Sequence, residues 1–232
     1  MLNVSLTISI LFILTVILTL ILFVNSFISR TPKSVKNKTT IILLIWVAIQ
    51  TGLSFWGVYY NSTDAIPPRI FLFGVFPMVI GMILLFRTQR GRLWMDHLSL
   101  NKLTMLSIVR IPVEIVLWLL FLSETISEIM TFEGWNFDIL AGITAPFVAY
   151  FGIRNKTRKP LLIVWNVAGL LLLTWIVVIS TLASPFPLQQ LAFDQPNVAI
   201  LYFPFSLLPT FVVPIVYFTH LVSLRLLLTR NQ

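Results

Sequence analysis

Apolar residues run along this chain in blocks of roughly 17–25, the length a helix needs to cross a bilayer, and polar residues collect between the blocks. Seven blocks predict seven helices. They cover about Val4–Ile28, Thr39–Tyr60, Arg69–Phe86, Leu98–Leu122, Phe137–Ile153, Leu161–Ala183 and Val198–Leu228. The first lacks the marks of a cleaved leader: no basic residue precedes it, it is long, and no small-residue cleavage site stands out before Arg30. It is expected to stay as a helix. No Pro/Gly/Ser-rich linker, charge run or internal repeat divides the sequence, so a single domain over residues 1–232 is expected.

The polar residues between blocks alternate in sign. Arg30, Lys33, Lys36 and Lys38 follow the first block, and Arg87, Arg90 and Arg92 follow the third. Arg154, Lys156, Arg158 and Lys159 follow the fifth, while Arg225 and Arg230 close the seventh. The other loops hold Asp64, Glu124, Glu128, Glu133 and Asp194, with Arg69 as their one basic residue. Basic loops stay cytoplasmic, which predicts an outside N-terminus and a cytoplasmic C-terminus. The fold class expected is therefore all-α, a seven-transmembrane-helix bundle.

Composition agrees with lipid as the solvent. Apolar residues make up 58% and charged residues 10%, far from the roughly 25% charged of soluble domains. The net charge of +8 would suit nucleic acid, but its concentration in short loops fits an orientation signal better, so no nucleic-acid partner is expected. The absence of cysteine excludes disulfides, thiol nucleophiles and Cys-based metal sites. Seven helices with an outside N-terminus also suit rhodopsins and G-protein-coupled receptors. The last block has no Schiff-base lysine, however, and the Asp-Arg-Tyr and Asn-Pro-x-x-Tyr runs are missing.

Candidate chemistry concentrates between Arg110 and Asp138, which hold five of the eight carboxylates. On a wheel of the fourth block, Ser99, Ser107, Arg110, Glu114, Trp118 and Glu124 share one arc. Ile108, Val109, Ile115, Val116, Leu119 and Leu122 fill the opposite arc and are expected to meet lipid. Arg110 falls near midspan, where a lone charge costs at least ~3 kcal/mol. Glu114 follows at the four-residue spacing that brings side chains together, so the two are expected to pair. Such a pair either locks the helix into its bundle or forms a binding or proton-relay site. The segment Thr131–Asp138 then enters the fifth block, with Asn136 as its N-cap and Glu133 and Asp138 near the positive end of the helix dipole. Those residues either begin a helix or form an acidic mouth above Arg110 and Glu114, which Glu124 and Glu128 would enlarge.

Other signals are weaker. Gly and Pro interrupt the third, fifth and seventh blocks, as in some transporters but also in membrane helices generally. Gln50 and Asn166 suit interhelical hydrogen bonds. Asp96, His97 and His220 could approach a zinc set, but two histidines and no His-x-x-x-His spacing argue for no metal. No catalytic or phosphate-binding signature appears, and no cofactor is expected. Sequons at Asn3, Asn37, Asn61 and Asn155 fall on both predicted sides and look like chance.

Residues 110–114 (Arg-Ile-Pro-Val-Glu) and 132–146 (Phe-Glu-Gly through Thr-Ala-Pro) resemble a family of bacterial multi-pass membrane proteins with no assigned activity. The resemblance covers the fourth and fifth blocks and implies a bacterial inner membrane; it implies no cofactor and no catalytic residue. Arg110, Glu114, Glu133, Asn136 and Asp138 are thus the candidate binding residues. A small polar or charged solute is the expected ligand, with Glu114 as proton carrier. The alternatives are an enzyme acting on a lipid or isoprenoid head group and a scaffold whose charges specify assembly.

Overall fold

The computed structural model describes residues 4–153 and 158–229. Arg154, Lys156, Arg230, Asn3 and Asn155 lie outside the described residues. Helix occupies every predicted block: α1 (Leu6–Asn25), α2 (Lys33–Phe55), α3 (Phe76–Arg87), α4 (Gln89–Met95), α5 (Leu100–Leu106), α6 (Arg110–Leu122), α7 (Ile139–Ile153), α8 (Lys159–Ala183) and α9 (Val213–Thr229). Five stretches are long and apolar enough to cross a membrane: Leu6–Asn25, Lys33–Phe55, Leu100–Leu122, Lys159–Ala183 and Leu208–Thr229. Phe71–Arg87 with α4 passes the same test as a pair bent by 94°, and α7 is apolar but only 15 residues long. Ile41, Ile42, Leu44, Ile45 and Ile49 all lie exposed on α2. In water such a contiguous patch would promote association, whereas in a bilayer it is simply the solvated face.

Proline explains most departures from the predicted helices. Pro112 has no N–H to give the Ile108 carbonyl, and Ser107–Val109 tighten into a 3-10 turn between α5 and α6. The seventh block was expected to be helical from Val198. Instead a 3-10 turn at Ala199–Leu201 is followed by irregular chain through Pro204, and helix resumes only at Leu208. Prolines at 204 and 209 disfavour helix in the residues before them. α6 ends in a Schellman motif, with Glu124 N–H on Phe121 O (2.9 Å) and Thr125 N–H on Leu120 O (3.1 Å). Glu124 occupies the left-handed position (φ 57°) that ends the helix.

The loops gather at two ends. Ile28 N–H donates to His97 O and Ser99 N–H to Ser26 O, both at 2.8 Å, and Lys102 Nζ donates to Phe27 O. Arg225 of α9 pairs with Asp96 at 2.6 Å. The segments after α1 and α4 and the last turns of α9 therefore share one end. At the other, Val198 N–H donates to Thr125 O, Asn197 N–H to Ala183 O and Trp175 Nε1 to Trp135 O.

Between these ends, α1 and α7 flank α5 and α6, α8 packs on α9, and α9 also packs on α5. That flanking corrects the expected lipid face of α6. Val109 and Val116 are buried, while Ile115 and Leu122 remain exposed. α1 and α7 cover both sides of the wheel and leave a strip rather than a half-cylinder.

α3 and α9 are each preceded by a π-helical turn, Phe71–Val75 and Leu208–Val212, and the two turns touch. Pro77 cannot bond the Phe73 carbonyl, nor Pro214 the Thr210 carbonyl. α2 supplies both missing donors: Gln50 Nε2 reaches Phe73 O at 3.0 Å and Trp46 Nε1 reaches Thr210 O at 2.9 Å. Tyr59 donates to Gln50 Oε1, and burial raises its phenol above the ordinary value, which keeps the donor proton in place. Gly74 is needed here, because a Cβ would lie 2.3 Å from Thr210 Cγ2. α2 thus holds the two proline-broken helices through their freed carbonyls.

Candidate functional site

Arg110 opens α6, directly after the 3-10 turn, and is only 2% exposed. Its Nη1 donates to Asp138 Oδ1 at 2.8 Å, and Nη2 donates to Gly169 O at 3.3 Å and His220 Nε2 at 2.8 Å. A guanidinium has no acceptor, so His220 Nε2 must accept and the imidazole proton sits on Nδ1. Nδ1–H then donates to Asn166 Oδ1 (2.9 Å), and Asn166 Nδ2 donates to Leu162 O (2.7 Å). His220 is thus a neutral link between α6, α8 and α9. Two glycines permit the close packing around this site. A Cβ on Gly169 would lie 2.6 Å from His220 Cε1, and one on Gly142 would lie 2.9 Å from Ile111 Cγ1 and 3.3 Å from Arg110 Cβ.

Glu114 was expected to pair with Arg110, and the structure corrects this. Arg110 turns to Asp138 on the approach to α7, while Glu114 is held by Asn136, whose Nδ2 lies 2.6 and 2.8 Å from its two oxygens. Asn136 Nδ2 also donates to Met130 O, and its Oδ1 accepts the Asp138 N–H at 3.0 Å. The expected capping role of Asn136 becomes an Asx-type turn over residues 136–138, directly ahead of α7. One side chain therefore positions both carboxylates. The four-residue spacing did put Arg110 and Glu114 on one face, but the charge-assisted bond forms across the bundle to Asp138 instead.

Glu133 lies away from this network. Its side chain is exposed, as are those of Glu128 and Glu124, and none of the three lines the cavity described below. His97 and Asp96 also lie apart from His220: His97 Nδ1 contacts Leu93 O and Asp96 holds Arg225, whereas His220 faces Arg110. Among the described residues no group of three or more His, Asp or Glu is placed to hold a metal. His220 and Gly169 were not expected at the Arg110 site. They lie 110 and 59 residues from it in sequence, beyond any periodic signal.

Glu114, Asn136 and Asp138 reach the wall of a cavity of about 710 Å³. It runs along the π-helical turn Phe71–Val75 and α3 as far as Arg87, with further walls from α6, α8 and α9. Most of the lining is apolar, including Val79, Met82, Leu173, Ile176 and Val213, with Tyr217, Ser180 and Thr181 as further polar groups. Tyr217 and Thr174 hydroxyls share a hydrogen bond of 2.6 Å. No residue of α3 is buried, and two that line the cavity, Val79 (42%) and Ile83 (52%), are among its exposed residues. The cavity is therefore open rather than enclosed.

An all-helical protein with several apolar helices able to span a membrane, and a buried charged site among them, is what fold and site together define. The protein family described as a domain of unknown function (DUF8737) matches residues 67–228, and the chain belongs to that family. No curated protein and no solved structure matches the chain. The matched residues contain α3 to α8 and all but the last residue of α9, and with them the Arg110 site and all of the cavity lining.

Proposed function

We propose that this is a seven-span protein of a cell membrane, N-terminus outside and C-terminus cytoplasmic, that binds an amphipathic, lipid-like molecule. The seven spans are α1, α2, Phe71–Arg87, Leu100–Leu122, α7, α8 and Leu208–Thr229. α4 then lies along the cytoplasmic interface, with Trp94 and its neighbouring arginines at head-group level. In support of the orientation, the segments after α1 and α4 share an end with Arg225, and Arg30, Lys33, Lys36, Lys38, Arg87, Arg90, Arg92 and Lys102 lie in or next to those segments in sequence.

One observation carries the ligand reading: a largely apolar cavity with Glu114, Asn136 and Asp138 along one wall. A small polar solute would leave that apolar lining dry and unmatched. An amphiphile matches both parts, its chain along α3 and its head against the carboxylates, which is the usual division of labour in ligand pockets. Val79 and Ile83 mark its entry from the bilayer between α3 and the rest of the bundle.

The test uses the full chain in nanodiscs and a fluorescent single-chain amphiphile as reporter, read by energy transfer from tryptophan. Saturable binding of one reporter per protein is expected, weakened severalfold by Val177→Phe, which narrows the cavity. Uptake that rises linearly and matches empty nanodiscs would refute the reading.

A further inference from the structure

The buried charges at the cavity wall do not balance. Arg110 is the one buried Lys or Arg among the described residues, while Glu114 and Asp138 are both buried beside it. His220 contributes no charge, because its Nε2 accepts from Arg110. With both carboxylates ionised the cluster carries one negative charge in excess. Hydrogen bonds satisfy much of it: Asp138 Oδ1 takes the guanidinium, and Glu114 takes the neutral amide of Asn136. An amide dipole nevertheless leaves the net charge in place, and an uncompensated buried charge is expensive in a low-dielectric site.

The surroundings narrow what can supply the missing charge. The other titratable groups on the cavity wall are Tyr217 from α9 and Arg87 from the far end of α3. Arg87 is exposed and lies at the cytoplasmic end of the cavity, about two helical turns from Val79 along α3 at about 3.6 residues per turn. Asp138 keeps its Oδ1 on Arg110, which sits behind the cavity wall rather than on it. Glu114 and Asp138 are therefore the two carboxylates among the residues that line the cavity, and Arg110 is not one of those residues.

We propose that the occupant of this cavity is a cationic amphiphile, its ammonium head seated between Glu114 and Asp138, and that a proton takes the same place when the amphiphile leaves. The inference rests on the cavity being an amphiphile site and adds the sign of the head group. It also gives exchange a stoichiometry. One positive charge enters as one proton departs, so the cluster is neutral in both states and the ion never leaves an unpaired carboxylate behind.

Three probes sharing a twelve-carbon chain separate the outcomes: dodecyltrimethylammonium, dodecanol and dodecyl sulfate, each competing with the fluorescent reporter on the full chain in zwitterionic nanodiscs. The cation should compete at concentrations about tenfold or more below the other two, as expected for an ion pair in a poorly screened site. Its apparent affinity should fall as pH is lowered, approaching roughly tenfold per pH unit where the proton holds the site, because the two exclude one another by mass action. Proton release on binding, followed with a dye in weak buffer, should be close to one per site. Glu114→Gln should erase both the preference and the pH slope. The wild-type series decides the matter even if that variant fails to fold. Equal competition by dodecanol or dodecyl sulfate would overturn the cationic head while leaving the amphiphile cavity intact. A cation preference without proton release would overturn the exchange. Failure of all three probes to displace a saturably bound reporter would also overturn the inference, whereas absence of saturable reporter binding defeats the broader reading first.

Discussion

Two polar clusters lie inside this bundle, and they are built to different ends. Around α2, Gln50 and Trp46 meet the carbonyls of Phe73 and Thr210 that Pro77 and Pro214 leave free, and Tyr59, Ser54 and Ser206 complete a network without a formal charge. Each group there answers a need created by the fold. Around Arg110 the groups are also hydrogen-bonded, yet they carry charge, come in unequal numbers of each sign, and lie beside a cavity. The first cluster is explained by backbone chemistry alone. The second exceeds what packing requires, since a buried ion pair is often no more stabilising than apolar residues of the same shape.

The comparison can be broken by substitution. Asp138→Ala leaves the Arg110 guanidinium buried without its carboxylate and should destabilise by roughly 3–5 kcal/mol, seen as a large drop in thermal midpoint in detergent. A midpoint close to wild type would mean that Arg110 has another partner. Gly169→Ala comes next. Its new methyl meets His220, and overpacking at such a contact should cost about 1–3 kcal/mol while disturbing the Arg110–His220 bond. Trp46→Phe removes one donor from the neutral cluster, and about 1 kcal/mol should be lost, with reporter binding unchanged. If binding falls as well, the two clusters are coupled and the contrast drawn here is wrong.

Glu124→Gly should act in the opposite direction. It relieves a left-handed non-glycine residue and should raise stability by about 1 kcal/mol without touching either cluster, as a thermal scan would show. Arg110→Met combined with Asp138→Leu should cost less than Asp138→Ala alone, because both charges go together and only Gly169 O and His220 Nε2 lose a donor. A loss as large as that of Asp138→Ala alone would show that the guanidinium is needed structurally, through Gly169 and His220.

Much of this was legible in the sequence. Long apolar blocks mark the helices, because each must satisfy its own backbone in lipid, and the loop charges sort into two sets whatever the packing. The four-residue step from Arg110 to Glu114 places both on one face of α6, and both are buried. Local reading failed where proline acts at a distance. The breaks before α3 and α9 are tolerable only because α2 supplies donors, and nothing near Pro77 or Pro214 in sequence announces Gln50 or Trp46.

The partners of Arg110 belong to the same class of knowledge. Which carboxylate takes the guanidinium depends on how α6 lies against α7, and the engagement of His220 depends on a glycine on α8 that lets α9 approach. Side-chain periodicity carries no information about either distance. The sequence by itself determined that charges would lie among apolar helices, because their spacing on one helix is a local property. Only the tertiary structure decided that Asp138 rather than Glu114 holds Arg110, and that α3 stands away from the bundle to leave a cavity beside them, because both depend on helix placements summed over the whole chain.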